Sequence, residues 1–175
     1  VSGTSTAITA VWGNPQEVAA PVYSTDGSTW SNDFASAWHF TELVAGSFVD
    51  STQFSNHAVA TGPVVEPSGQ VGAAASFDGT DDFAKPTGYK GITGTDPRTM
   101  AGWIKTPKAA AAIMSWGNDA VSQKWIFRTD GGKLRVEING GARVANTNVA
   151  DNNWHHVAGV FPDGATNINQ MKFYV

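Results

Sequence analysis

In the second half of this chain apolar residues recur at every other position in short runs, each closed by Gly, Asp, Asn or Pro. Period-two alternation sends successive side chains to opposite faces and marks a half-buried strand. Met100 to Thr106 (MAGWIKT), bounded by Pro97 and Pro107, sets Met100, Gly102 and Ile104 opposite Ala101, Trp103 and Lys105. In Lys124 to Thr129 (KWIFRT), Trp125 and Phe127 share one face while Lys124 and Arg128 share the other. Asp130-Gly131-Gly132 reads as a hairpin turn, because Asp and Gly tolerate the positive φ such turns require. Lys133 to Asn139 (KLRVEIN) then alternates again, with Leu134, Val136 and Ile138 inward and Arg135, Glu137 and Asn139 outward. Gly140-Gly141 leads into Ala142 to Thr147, and Asn152-Asn153 into Trp154 to Phe161 (WHHVAGVF). After the turn Pro162-Asp163-Gly164, a last strand is expected from Gln170 to Val175. Helical spacing is nearly absent, since Gly or Pro interrupts most windows long enough to hold a helix. Short strands separated by turns every ~8–12 residues predict an all-β, antiparallel fold, a sandwich or a barrel.

Composition narrows the function classes. The 175 residues suit one domain, perhaps with a small annex. Only 15% of them are charged, against about 25% in an average soluble domain, so hydroxyls and amides must wet the surface. The net charge is −4 and no Lys/Arg run exists, which argues against nucleic acid as a partner. No apolar stretch approaches the ~18 residues of a membrane span, so membrane insertion is not expected. Cysteine is absent, which removes disulfides, thiolate metal sites and cysteine nucleophiles. With no initiating Met and no basic-then-apolar leader, the chain reads as a piece of a longer product.

Five segments carry a family resemblance: Ala37-Trp38-His39-Phe40, Phe48-Val49-Asp50-Ser51, Ala75 to Phe83 (ASFDGTDDF), Arg98 to Lys105 (RTMAGWIK) and Trp154 to Ala158 (WHHVA). Together, and in this order, they resemble the laminin-G-like, concanavalin A-like jelly roll of bacterial exoproteins. Residues 1–34, with Val11-Trp12-Gly13-Asn14-Pro15 and Trp30-Ser31-Asn32-Asp33-Phe34, resemble the tail of a preceding β-rich domain of unknown function. The jelly roll is expected over 35–175. The resemblance implies two antiparallel sheets packed face to face, an extracellular or cell-surface location in a microbe, and binding of glycans or of a cell-surface protein, often with calcium. It also implies further strands after Phe173-Tyr174-Val175, so the domain is expected to be C-terminally incomplete, with its terminal strand offered for self-assembly.

The candidate chemistry is sparse. Glycosidases need two carboxylates about 5–5.5 Å apart when retaining, or about 6.5–9.5 Å when inverting. No Glu-x-Asp-x-x-Glu run provides them; Glu137 is alone on its strand. No enzyme is expected. Asp78, Asp81 and Asp82, in Asp78-Gly79-Thr80-Asp81-Asp82, are the best candidate ion site, with the hard oxygen ligands that calcium takes; the alternative is a plain Asp-Gly turn with solvated carboxylates. His155 and His156 are adjacent, so on a strand they face opposite ways and cannot share a metal. Trp38, Trp103, Trp125 and Trp154 are expected in the core, whereas Trp12, Trp30 and Trp116 sit beside small polar residues where an indole either stacks on a sugar or plugs a sheet end. Arg128, Arg135 and Glu137 fall outward on two hairpin strands. They read either as a patch that hydrogen-bonds a glycan or an acidic polymer, or as an ordinary cross-strand charge group. A non-catalytic recognition module is the first reading, with Arg128, Arg135, Glu137 and Trp116 as ligand residues. A structural subunit of a surface filament, sheath or adhesin, joined through β-edges, is the alternative.

Overall fold

A computed structural model describes residues 19, 22 and 26–175; the motif around Trp12 lies outside the described residues. The described chain forms twelve strands: β1 (Ser47–Phe48), β2 (Ala58–Thr61), β3 (Val64–Glu66), β4 (Ala74–Ser76), β5 (Phe83–Pro86), β6 (Arg98–Lys105), β7 (Ala111–Gly117), β8 (Lys124–Asp130), β9 (Lys133–Glu137), β10 (Ala142–Asn148), β11 (Trp154–Phe161) and β12 (Lys172–Tyr174). Every strand pair is antiparallel. The order is β10-β9-β8-β7 in one sheet and β12-β11-β6 in another, with two smaller sheets, β1-β2-β5 and β3-β4, built from the earlier residues.

The two larger sheets share one core, as their alternation requires. β8 and β9 contribute Trp125, Phe127, Leu134 and Val136; β6 and β11 contribute Met100, Val157 and Phe161. Phe127, Leu134, Val136 and Val157 are almost wholly shielded from water, and each such side chain stabilises the fold by about 1.5–3 kcal/mol. Gly159 of β11 faces the core between the two sheets. A Cβ there would stand 3.3 Å from both Met100 Cε and Phe127 Cε2, so hydrogen at this position lets β11 sit down on β8. The β8–β9 connection is the two-residue turn Gly131-Gly132, at φ 55° and 79°, the left-handed pair that matches strand twist.

Arg98, at the first position of β6, is only 5% exposed and forms no salt bridge among the described residues. Its guanidinium instead donates to main-chain oxygens of the loop before it: Nη1 to Ile92 O at 2.6 Å, Nη2 to Thr93, Gly94 and Asp96 O, and Nε to Asp96 O at 2.9 Å. The cation also lies 4.5 Å from the Trp125 ring centroid and 5.6 Å from that of Phe161. Burial pulls its pKa below the ordinary value while Asp96 and Tyr89 pull it back; a guanidinium stays charged regardless.

A second buried polar hub joins the earlier segments. Asp50, 4% exposed, accepts from the amides of Ala37 (2.8 Å), Thr52 (3.0 Å) and Asn56 (2.8 Å) and from the Thr52 hydroxyl (2.7 Å). Asn56 in turn donates to Ala35 O, and the Trp38 indole donates to Asn56 O.

Two expectations need correction. Trp103 points away from the core and is 46% exposed, because it pairs with His156 on the outer face of β6 and β11. Trp154, paired with Lys105, lies half-buried on that same outer face. Trp125 is a core residue as expected.

Candidate functional site

The expected outward set comes together on the face of the β10-β9-β8-β7 sheet that turns away from the core. Register places Arg128 directly opposite Arg135, and Ile126 opposite Glu137. Glu137 is the centre of a charged strip. It receives Lys124 Nζ at 2.9 Å and Arg135 Nη2 at 3.0 Å, while Arg135 Nη1 reaches Asp130 at 2.8 Å and Lys124 also reaches Asp119 at 3.0 Å. These side chains are not fully solvated: those of Lys124, Glu137 and Arg135 expose 17%, 19% and 29% of their surface. Lys124 hydrogen bonding, then the charges of Lys124, Arg135 and Arg128, hold the Glu137 carboxyl below its usual pKa against the opposing effect of burial. The Arg135 fork is used up on Asp130 and Glu137, and its Nε, shielded from solvent, has no acceptor.

Arg128 differs from its neighbours. Its Nε donates to Thr129 O at 3.1 Å; its terminal nitrogens have no hydrogen-bond partner and no ion pair among the described residues. Like charges directly opposite on a sheet are destabilising, and of the two only Arg135 forms salt bridges among the described residues, Arg128 feeling Glu137 at longer range.

Trp116 is separate from this strip. It lies on the core-facing side of β7, opposite Trp125, and the two indoles stack at 5.7 Å and 12°. Its Nε1 donates to Ile92 O at 2.9 Å, and Gly91 packs so closely that a Cβ there would overlap the indole. Any ligand stacking on Trp116 would have to displace the loop held by Arg98.

Asp78, Asp81 and Asp82 do converge. Each offers one carboxylate oxygen, and the three lie within 4.8 Å of one another in an exposed loop. Oxygens about 2.3–2.6 Å from one ion lie at such separations, so the set fits a hard cation whose remaining ligands are water. The loop is already organised: Thr80 N donates to Asp78 Oδ1 at 2.7 Å and Asp78 N to Asp82 Oδ2 at 2.8 Å. The Thr80 bond is the main reason that the Asp78 pKa lies below its usual value. Lys108 Nζ donates to Asp78 O at 2.6 Å, so an ammonium group takes a main-chain oxygen that an ion would otherwise use.

His155 and His156 face opposite ways. His155 Nε2 lies 2.9 Å from Asp151 Oδ1, while His156 meets the Trp103 ring edge-on at 5.4 Å. His57 accepts from Asp50 N through Nδ1 and borders a polar cleft of ≈ 470 Å³ with Asp26, Thr52 and Ser55. Sequence reasoning did not find this cleft, because its two walls, Asp26-Gly27 and residues 49–57, are far apart in sequence and come together where Gly27 lies against Gln53. At φ 81° its bare Cα rests against the Gln53 amide, leaving 2.6 Å for any Cβ.

With this geometry in place, the comparisons fix the class. A laminin-G family model, described as the concanavalin A-like lectin/glucanases superfamily, matches residues 77–175. The chain belongs to that superfamily. No curated protein and no solved structure gives a significant match. The matched segment holds both larger sheets, the charged strip and the Asp78 loop; the Asp50 hub and the His57 cleft precede it. Domains of this kind are generally non-catalytic binding modules and are commonly extracellular. No helix among the described residues is long and apolar enough to cross a membrane.

Proposed function

We propose that this chain is a non-catalytic, extracellular recognition module that binds a glycan on the outer face of β7–β10. The domain runs over 35–175, a boundary supported by the bonds that tie Ala35 and Ala37 to Asn56 and Asp50. The carrying observation is Arg128, whose terminal donors have no hydrogen-bond partner among the described residues although it sits opposite a second arginine. A position that is unfavourable in the free protein becomes favourable when a ligand supplies oxygen acceptors. Arg135, Glu137 and Lys124 hold one another in place beside it, so little side-chain freedom is lost on binding. Glu137 is a poor general acid, because its neighbours keep it ionised.

Glycan-array screening followed by titration calorimetry tests this. Arg128→Gln should weaken the best array ligand roughly tenfold or more, as loss of a charge-assisted hydrogen bond implies, while Tm stays constant or rises slightly. Unchanged affinity, or a Tm loss as large as that of a core variant, would refute the assignment. If the array is silent and a surface protein binds the same face instead, the partner is protein and the glycan reading is wrong.

A calcium ion at Asp78, Asp81 and Asp82 belongs to the same reading. Calcium at about 100 times its Kd should stabilise the protein by roughly 2.7 kcal/mol. Asp81→Asn should remove that gain and Lys108→Met should increase it, both read as calcium-dependent Tm. No calcium effect in either the native protein or Lys108→Met would rule the site out.

A further inference from the structure

We infer that the outward face of the β12-β11-β6 sheet is a second binding surface, one that takes an acidic polysaccharide. This surface lies on the opposite sheet from Arg128 and does not depend on the reading given above.

Register defines the face. Trp103 pairs with His156, Ala101 with Ala158, and Ala158 with Tyr174 on the far side. All of these alternate with the core residues Met100, Val157 and Gly159, so they stand on the side away from it. Two small alanines therefore form a low floor between Trp103, 46% exposed, and Tyr174, 56% exposed. His156 braces the indole edge-on at 5.4 Å and 68°. Exposed rings beside a low floor are suited to stacking on the C–H faces of pyranose rings.

Charge selects among ring-bearing polymers. Lys105 and Lys172 are exposed on this face, paired with Trp154 and Val160. Their partners are six positions apart on β11, so the two ammonium groups span roughly 20 Å along the strands. β6, β11 and β12 contain no Asp or Glu, although the whole chain carries a net charge of −4. The acids of the flanking turns, Asp96 before β6 and Asp151 and Asp163 on either side of β11, all lie beyond the strand ends, and Asp151 is already paired with His155. A basic, aromatic face on an acidic protein is complementary to a polymer whose sugar rings carry carboxylates or sulfates.

Titration of the full chain with polygalacturonate and with neutral dextran, each at low and high salt, tests this. Polygalacturonate should bind and dextran should not, with affinity falling as salt rises. Trp103→Ala and Tyr174→Ala should each weaken binding about tenfold, the scale of one lost aromatic contact. The double change Lys105→Gln, Lys172→Gln should weaken binding and flatten the salt dependence. Lys133→Gln, an exposed lysine of the other large sheet, should bind as the native protein does. All of these side chains are exposed, so each variant should melt as the native protein does, and melting curves verify that the fold is kept. Equal binding of both polymers, no binding of polygalacturonate, unchanged binding in Trp103→Ala, or a loss in Lys133→Gln as large as in the double variant would each overturn the proposal.

Discussion

Replacing Arg98 by alanine should lower stability by about 3–5 kcal/mol, the sum of several lost hydrogen bonds from a charged donor and the cavity left by a buried side chain, and lower Tm by roughly 10 °C. Three losses act together. The carbonyls of Thr93, Gly94 and Asp96 lose the Arg98 donor while that of Ile92 keeps only the Trp116 indole, a cavity opens beside Trp125 and Phe161, and the stacked cation is gone. Arg98→Lys should recover little. A lysine ammonium has three donors and no planar fork, so it cannot serve several main-chain oxygens while lying flat on an indole. The same loop covers Trp116 through Ile92 and Gly91, so loss of Arg98 should expose that indole and red-shift the fluorescence. A lysine variant as stable as the native protein would show that positive charge alone suffices, and that the fork geometry is irrelevant.

Asp50→Asn should cost about 2–4 kcal/mol, because whichever way the amide is turned its NH2 meets at least one main-chain N–H, which can only donate. Both carboxylate oxygens are in use: Oδ1 takes the Ala37 and Thr52 amides, and Oδ2 takes the Thr52 hydroxyl and the Asn56 amide. Burial alone would raise the pKa of this carboxyl, but these bonds outweigh burial and hold it below 3.8. A group whose pKa is depressed on folding contributes its full stability above the unfolded value and loses it as pH falls through the folded one. The native protein should therefore lose stability as the medium is acidified below about pH 4, and Asp50→Asn should show a shallower decline over that range. Parallel acid limbs in chemical denaturation would mean that Asp50 is not a significant source of the acid sensitivity.

The β8–β9 hairpin was legible because strict alternation and a Gly-Gly turn fix both face and register, and with them the outward placement of Arg128, Arg135 and Glu137. The opposite facing of His155 and His156 followed from the same two-residue period. β7 gave no such signal. Its alanine-rich run does not alternate, and a bulge between Ala112 and Met114 shifts the phase within the strand. Trp103 was misjudged by size. Its phase already grouped it with Ala101 and Lys105, and that grouping is the one the fold adopts. Trp116 looked like an available sugar platform because its sequence neighbours are small and polar, but Trp125 and the Gly91 loop, both distant in sequence, occupy it. Arg98 and Asp50 were invisible as buried hubs for a related reason. Their partners are mostly main-chain groups, and any sequence supplies those; only the path of the loop brings them into range.

The central claim, that recognition occurs on the outer face of β7–β10 around Arg128, is tested most directly by following backbone amide and arginine Nε–H resonances as the best array glycan is titrated in. Shifts should concentrate at Ile126, Arg128, Arg135 and Glu137, and the Arg128 side-chain signal should sharpen or move first. Shifts confined to the Asp50–His57 cleft or to the Asp78 loop, with the β8–β9 hairpin unmoved, would contradict it.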